Sequence, residues 1–471
     1  MVNRPCQPAP YLAFGKDKVR MLLRILRRIE ATSKQNGTDP RETIQTFLRS
    51  WFHVNEVPSP SDASPLATTE VSRIPILSAS SSIASTSSCE SVPEEDNDFD
   101  HATTLPTSVK SEAAQSFPLH KEDLDIFFAW AFFGKDFDAL ISWERKELKR
   151  VYQTFQKRYD LTFPKKTYDT SHLFHPRRMT LEPVVPIYRP LIVYMSVLGI
   201  RWIGHLMLRY VYGFQKFVTK HGMICWYRPA GQKVADANQQ EASLMPMLFF
   251  HGIAPGGVVG YLPIVLQGLA TEPERPVFLF ENISISCVLD FQPLTEKQTI
   301  DGVIECLKRF GAHQQNLSLV GHSFGSCPIA WLVGSKKLEQ QIKQVVLLDP
   351  VAIVLSEPDV MVNFLYGEEM DRIRMVASSE IMTQSYLRRH FAGYNSELFV
   401  DEVKCPMLVF CSEQDEIVNS EKVKQEMRRH PQHKFQNWEG VGHGACIVDS
   451  DKWKDIKKQM LKQELQIVRA K

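Results

Sequence analysis

Three residues far apart in the chain carry side chains suited to nucleophilic acyl chemistry. They are Ser323 in Gly321-His322-Ser323-Phe324-Gly325, Asp415 in Glu413-Gln414-Asp415-Glu416, and His443 in Gly442-His443-Gly444. A serine hydroxyl is a poor nucleophile until a histidine takes its proton. That histidine in turn needs a carboxylate to orient it and to stabilise its cation. The same chemistry requires backbone donors for the developing oxyanion, and His251-Gly252-Ile253-Ala254-Pro255-Gly256-Gly257 is a glycine-rich turn able to bring N–H groups close to a substrate. The expected donors are the N–H of Ile253 and that of Phe324, next to the serine; losing one such donor typically costs about 2.7–4 kcal/mol of transition-state stabilisation. Asp415 is the expected acid. Its neighbours Glu413 and Glu416 are close rivals that more often read as solvated loop acids, and Asp349 in Leu347-Leu348-Asp349-Pro350 is another place from which an acid can serve.

These residues must sit at the ends of strands. Gly-x-Ser-x-Gly recurs by chance, so its weight comes from the apolar run Leu317 to Val320 before it and the helical pattern Cys327, Ile329, Ala330, Leu332 after it. A nucleophile at the tip of so sharp a turn has strained backbone angles, and bulky residues two positions away on either side collide with the turn. Further strands are predicted at Pro246 to Phe250, Val277 to Glu281, Gln344 to Leu348, Met407 to Cys411 and Lys434 to Trp438, with helices between most of them, as at Glu296 to Phe310. A strand pair, Lys216 to Thr219 and Met223 to Arg228, precedes them around His221-Gly222. Short apolar strands separated by helices imply an α/β fold with a mostly parallel central sheet and helices on both faces. Glu281, at the end of its strand, is read as facing the pocket or capping a helix. Residues 351–400 exceed what the sheet needs and are helical in pattern with bulky apolar side chains.

From about 214 to 471 the chain resembles α/β-hydrolases with a GHSFG-type elbow and an HG-x oxyanion turn. Leu-Leu-Asp-Pro350 and Glu-Gln-Asp415-Glu-Ile-Val418 are similar to that family as well. The region upstream, with its aromatic helices and Tyr188-Arg189-Pro190, resembles a group of poorly characterised fungal and algal hydrolases with a helical N-terminal extension. The resemblance implies the α/β-hydrolase fold, a cap formed by 351–400, and catalysis without metal or cofactor. An apolar cap suggests an apolar acyl or lipid-like ester as substrate. A serine nucleophile in place of aspartate does not fit epoxide hydrolysis or dehalogenation. The step from His443 to Asp449 is one residue longer than the H-x-x-x-x-D of related acyltransferases. The expected activity is carboxylic-ester hydrolysis through an acyl-enzyme on Ser323. Acyl transfer, thioester cleavage or C–C hydrolysis on the same scaffold, and a non-catalytic binding protein, are the alternatives.

The rest of the chain bounds the reading. With 471 residues, 55 Lys+Arg and 54 Asp+Glu, it has several units and no basic arm for nucleic acid. Nine cysteines without a CxxC pair read as reduced thiols in an intracellular compartment, with no zinc site, and His172-x-x-His175 as loop histidines. Residues 1–56 hold two predicted helices. Met1 to Pro10 lacks the apolar core of a secretory signal. Lys16 to Glu30 places Met21, Leu22, Ile25 and Leu26 on one side among Arg20, Arg24, Arg27 and Arg28, as a targeting helix, a membrane-surface helix or a solvated helix would. Asp39 and Pro40 mark the start of the second helix. Residues 57–117, rich in Ser, Pro and acids, read as a disordered linker. Residues 118–213 read as helical and apolar, with Asp136 capping a helix that carries Leu148, Val151 and Phe155. In 191–214, Arg201, His205 and Arg209 recur every four residues on one helix face, so this helix is expected on a membrane surface or packed on the domain rather than across a bilayer, where a mid-span arginine costs about 2.5–3.5 kcal/mol.

Overall fold

The computed structural model describes residues 15–54, 117–167, 174–231, 244–264, 275–290, 292–367 and 374–469. The linker expected over 57–117 lies outside these, apart from Phe117, and so does His172.

Two short strands, β1 (Phe52–Val54) and β2 (Phe174–Pro176), pair antiparallel. Eight more form the main sheet: β3 (Gln215–Val218), β4 (Ile224–Arg228), β5 (Met247–Phe250), β6 (Val277–Glu281), β7 (Leu317–His322), β8 (Ile342–Leu348), β9 (Met407–Ser412) and β10 (Lys434–Trp438). Their spatial order is β10-β9-β8-β7-β5-β6-β4-β3. The ladders from β6 to β10 are parallel, whereas β3 and β4 are antiparallel additions at one edge. Every residue of β5, β6, β7 and β9 is buried, as strands covered on both faces must be. This is the α/β-hydrolase fold.

Among the described residues, the α-helices of seven or more residues are α1 (Gly15–Asn36), α2 (Pro40–Ser50), α3 (Lys121–Phe133), α4 (Ser142–Tyr159), α5 (Leu191–Tyr210), α6 (Glu296–Arg309), α7 (Ser326–Gly334), α8 (Asp359–Leu365), α9 (Ile381–Arg389), α10 (Ser420–Arg428) and α11 (Ser450–Arg469). Val303 and Leu307 of α6, Ile329 and Leu332 of α7, and Val423 of α10 cover one face of the sheet. Leu208 of α5 and Trp453, Ile456 and Met460 of α11 cover the other. Burying a side chain of this size is worth about 1.5–3 kcal/mol, so Leu319→Ala, in the middle of β7, would cost about 2–5 kcal/mol. The start of α6 is fixed by a reciprocal cap: Thr295 Oγ1 accepts from Gln298 N, and Gln298 Oε1 accepts from Thr295 N. Asp39 caps α2 in the same spirit, accepting from Arg41 N at 2.9 Å.

Two expectations need correcting, and a third, left between alternatives, is narrowed. The apolar stripe of α1 is neither solvated nor presented to a bilayer. Leu22, Ile25, Leu26 and Ile29 are buried together with Ile44, Leu48, Phe127 and Phe128. Two of the arginines beside the stripe are held by ion pairs, Arg24 with Asp401 and Glu402, Arg28 with Glu397, while Arg27 is exposed. Asp136 does not cap α4 but pairs with Arg178; Glu144, inside α4, accepts from Ile141 N at 3.0 Å instead. The polar face of α5 turns inward. Arg201 Nε and His205 Nε2 lie 2.9 and 3.2 Å from Glu281 Oε1, so Glu281 points into α5 rather than into the main cavity. Burial pushes the Glu281 carboxyl up, but His205 and Arg201 outweigh it and hold it at about 2. Arg209 is exposed, its guanidinium carbon 5.5 Å from the Tyr210 ring centroid.

Candidate active site

Ser323 follows β7 at the entry to α7, with φ of +52°. A side chain held in this left-handed region costs about 1–3 kcal/mol and persists only where its surroundings over-determine it. The flanking glycines show how. A Cβ on Gly321 would lie 2.8 Å from Gly325 O, and one on Gly325 would overlap Phe250 O of β5. The turn is thus wedged between its own ends and the neighbouring strand, which lifts the hydroxyl clear of the backbone.

His443 sits on the loop after β10, its Nε2 2.9 Å from Ser323 Oγ and its Nδ1 2.7 Å from Asp415 Oδ2. Asp415 is held in turn by the N–H groups of Ile417 and Val418, both at 2.8 Å. Three of the five expected site residues therefore converge on one oxygen. Burial works against the His443 cation, but Asp415, with Asp349 and Glu416 behind it, raises its pKa above the ordinary 6.5.

Asp349 does not reach the imidazole. It receives Ser412 N at 2.7 Å and Gly444 N at 2.8 Å, pinning the backbone one residue past His443 to the end of β9. Burial raises its carboxyl, yet His322, His443 and the Gly444 N–H prevail and lower it. Glu413 and Glu416, expected as solvated acids, also hold this loop: Glu413 accepts from Gly440 N at 2.9 Å and Glu416 from His443 N at 3.0 Å. A Cβ on Gly442 would lie 2.7 Å from Glu416 Oε1. An acid near a glycine-rich loop is equally common in solvent, so only the folded register reveals this role.

The glycine-rich turn that follows β5 passes directly under Ser323. A Cβ on Gly252 would meet Ser323 Cβ at 2.8 Å, so glycine is required for this approach. Gly252 N donates to Tyr261 Oη at 2.7 Å, and Tyr261 Oη shares a hydrogen bond of 2.7 Å with His322 Nδ1. His322 Nε2 lies 3.8 Å from Asp349 Oδ2. Burial lowers the His322 pKa, in keeping with a neutral ring. Beyond this buried chain, Ile253 N donates to no backbone carbonyl among the described residues, and Ile253 and Phe324 both line the same cavity as Ser323.

Two groups here have metal-compatible spacing: His322, Asp349 and Cys446, and Asp349, Asp415 and His443. Hydrogen bonds to protein donors already account for the carboxylates, and burial pushes the Cys446 thiol well up, which keeps it protonated.

Ser323 opens into a cavity of about 290 Å³. Part of its wall comes from 351–400, through Val351, Leu355, Val360, Phe364, Leu387 and Phe391. The opposite wall comes from the N-terminal helices, through Leu22, Ile25, Leu26, Phe47, Trp51 and Phe127. This second wall was not anticipated from the sequence. It is locked to the first by the buried pair of Arg28 with Glu397, while Tyr366 Oη, donating to Glu182, and Arg388, paired with Glu182 at 3.1 Å, tie 351–400 to the segment that precedes α5.

No known family profile matches the chain, and no curated protein matches it. Among solved structures, it is similar to a thermophilic esterase from Thermogutta terrifontis, at 16% identity over 53% of this chain and 99% of that one, with a TM-score of 0.39. An esterase from Rhodococcus sp. ECU1013 (17% identity, 53% and 99% covered, TM-score 0.37) and a carboxylesterase from Bacillus subtilis (11% identity, 57% and 97% covered, TM-score 0.37) are also similar.

Proposed function

We propose that the protein is a serine hydrolase that cleaves a carboxylic ester with an apolar or lipid-like acyl group. The observation that carries this reading is the 2.9 Å contact between Ser323 Oγ and His443 Nε2 at the floor of an apolar cavity. Ser323 Oγ attacks the ester carbonyl while its proton passes to His443 Nε2. The N–H groups of Ile253 and Phe324 hold the resulting oxyanion. Collapse expels the alkoxide, which takes the proton from His443 and leaves as the alcohol. Water then attacks the acyl-enzyme, gives its proton to His443, and releases the acid as Ser323 regains that proton. Asp415 stabilises the imidazolium in both halves.

The test is labelling by a fluorophosphonate probe, with Ser323→Ala as control. Labelling of the wild type that disappears in the variant supports the reading; folded wild type that stays unlabelled refutes it. With p-nitrophenyl esters of increasing chain length, acid release without any alcohol acceptor is expected. Product that forms only when an acceptor is present would replace hydrolysis by acyl transfer on the same serine.

A further inference from the structure

The outward surface of α5 is apolar and has no partner among the described residues. Only 11% of its most apolar stretch is buried. Residues 191–200 contain no charge, and Leu191, Ile192, Met195, Leu198 and Ile200 are each more than 40% exposed. At 100° per residue, the exposed positions of this half sweep about 220° of the helix circumference. A second protein laid against one face would leave much of such an arc in water, whereas a fluid hydrocarbon phase covers all of it. The single hydroxyl in the arc is already spent: Ser196 Oγ donates to Ile192 O at 2.8 Å. That is how hydroxyls are satisfied where water is absent.

The other half of α5 is fixed to the hydrolase core. Arg201 and His205 meet the buried Glu281, Leu208 is fully buried, and a Cβ on Gly204 would run into Val259. A helix anchored this way cannot cross a bilayer. The free half, ten residues long, rises about 15 Å, half the ~30 Å hydrocarbon core. Aromatic and basic residues occur at the ends, Tyr188 before the helix and Trp202, Arg209 and Tyr210 beyond the free half, all four exposed; such side chains suit the headgroup level.

We infer that α5 is a monotopic membrane anchor whose first half inserts into one leaflet of a lipid bilayer. The insertion also touches the wall of the active-site cavity. Ile187 N donates to Ser379 O at 2.9 Å and Tyr194 Oη to Glu380 Oε1 at 3.2 Å, immediately before α9, whose Leu387 lines the cavity. An ester in that leaflet therefore lies beside the site, a consequence that rests on the hydrolase reading; the anchor itself does not.

The experiment is flotation of the full chain with phosphatidylcholine vesicles, comparing wild type, Ser323→Ala and the triple variant Ile192→Glu/Met195→Glu/Ile200→Glu. These three side chains are exposed, and far-UV circular dichroism and probe labelling check that the fold survives. Wild type and Ser323→Ala are expected to float equally, without loss in 0.5 M salt, and the triple variant at least tenfold less. Its turnover of a soluble short-chain ester should match wild type, while turnover of a vesicle-borne ester falls by a similar factor. Failure of wild type to float overturns the inference, as does equal flotation of the triple variant. Flotation that appears only with anionic lipid and vanishes in salt overturns it too, as does a wild-type dimer that the variant converts to monomer without any change in flotation. Flotation without esterase activity leaves the anchor standing and removes only the hydrolase reading.

Discussion

Replacing Arg28 by methionine tests whether the N-terminal helices belong to the active-site cavity. The Arg28 guanidinium pairs with Glu397, lies near Glu357 at 3.7 Å, and donates to Ile353 O. The Glu397 side chain has no exposed surface, and Arg28 is 9% exposed. Breaking a pair this deep leaves an uncompensated carboxylate, which costs about 3–5 kcal/mol. A comparable pair on the surface would cost at most about 1 kcal/mol. The penalty falls on the packing of α1 against 351–400, so hydrogen exchange of the α1 amides is the direct readout. An acceleration of two to nearly four decades is expected, at about 1.4 kcal/mol per decade. The effect has a definite pH sign. Burial raises the Glu397 carboxyl above its ordinary value, so the folded variant favours the protonated acid. Its deficit is therefore largest above that raised pKa and shrinks as pH falls and the acid neutralises. The double variant Arg28→Met/Glu397→Leu, with no charge to strand, should recover more than half of the loss. Because Ile25 and Leu26 line the cavity beside Arg28, turnover of long-chain esters should drop in the single variant while acetate esters change little. Exchange accelerated by less than tenfold at pH 8, or a double variant worse than the single, would refute the reasoning.

Other outcomes follow from the same geometry. The raised pKa of His443 places the acid limb of kcat/KM above pH 6.5, since the base must be neutral to accept the serine proton; a limb below that value would show that Asp415 does not hold the cation. Gly252→Ala should keep its fold by circular dichroism and lose about 10²–10³ in kcat, as expected when an oxyanion donor is displaced. Tyr261→Phe strands Gly252 N and His322 Nδ1, which should destabilise the protein by about 1–3 kcal/mol in urea titration.

The sheet was legible because its strands are short apolar runs with helices between them. Val277–Glu281 and Lys434–Trp438 fall where the pattern places them, and the others differ by one or two residues at their ends. The nucleophile turn was legible because glycines two residues either side of a serine answer a steric need. What escaped was everything decided by an apolar stripe's partner. An apolar stripe flanked by arginines looks the same whether lipid, water or protein covers it, so α1 read like a surface helix although Leu26 is fully buried. The same ambiguity hid the inward turn of Arg201 and His205, whose partner Glu281 lies on a strand far along the chain. Glu413, Glu416 and Asp349 support the histidine loop through backbone N–H groups, and a backbone donor leaves no trace in residue types.

The small sheet of β1 and β2 also ties a knot of a different kind. Val54 and Phe117 border residues 55–116, and the Phe52 and Phe117 rings stand 5.9 Å apart, with Phe117 stacked on Phe174. Because Leu26 and Leu48 share one core with Phe127 and Phe128, two fragments made by a protease cut in 55–116 would stay together, and the piece bearing the first two helices would go on lining the cavity at Ser323 as a separate polypeptide.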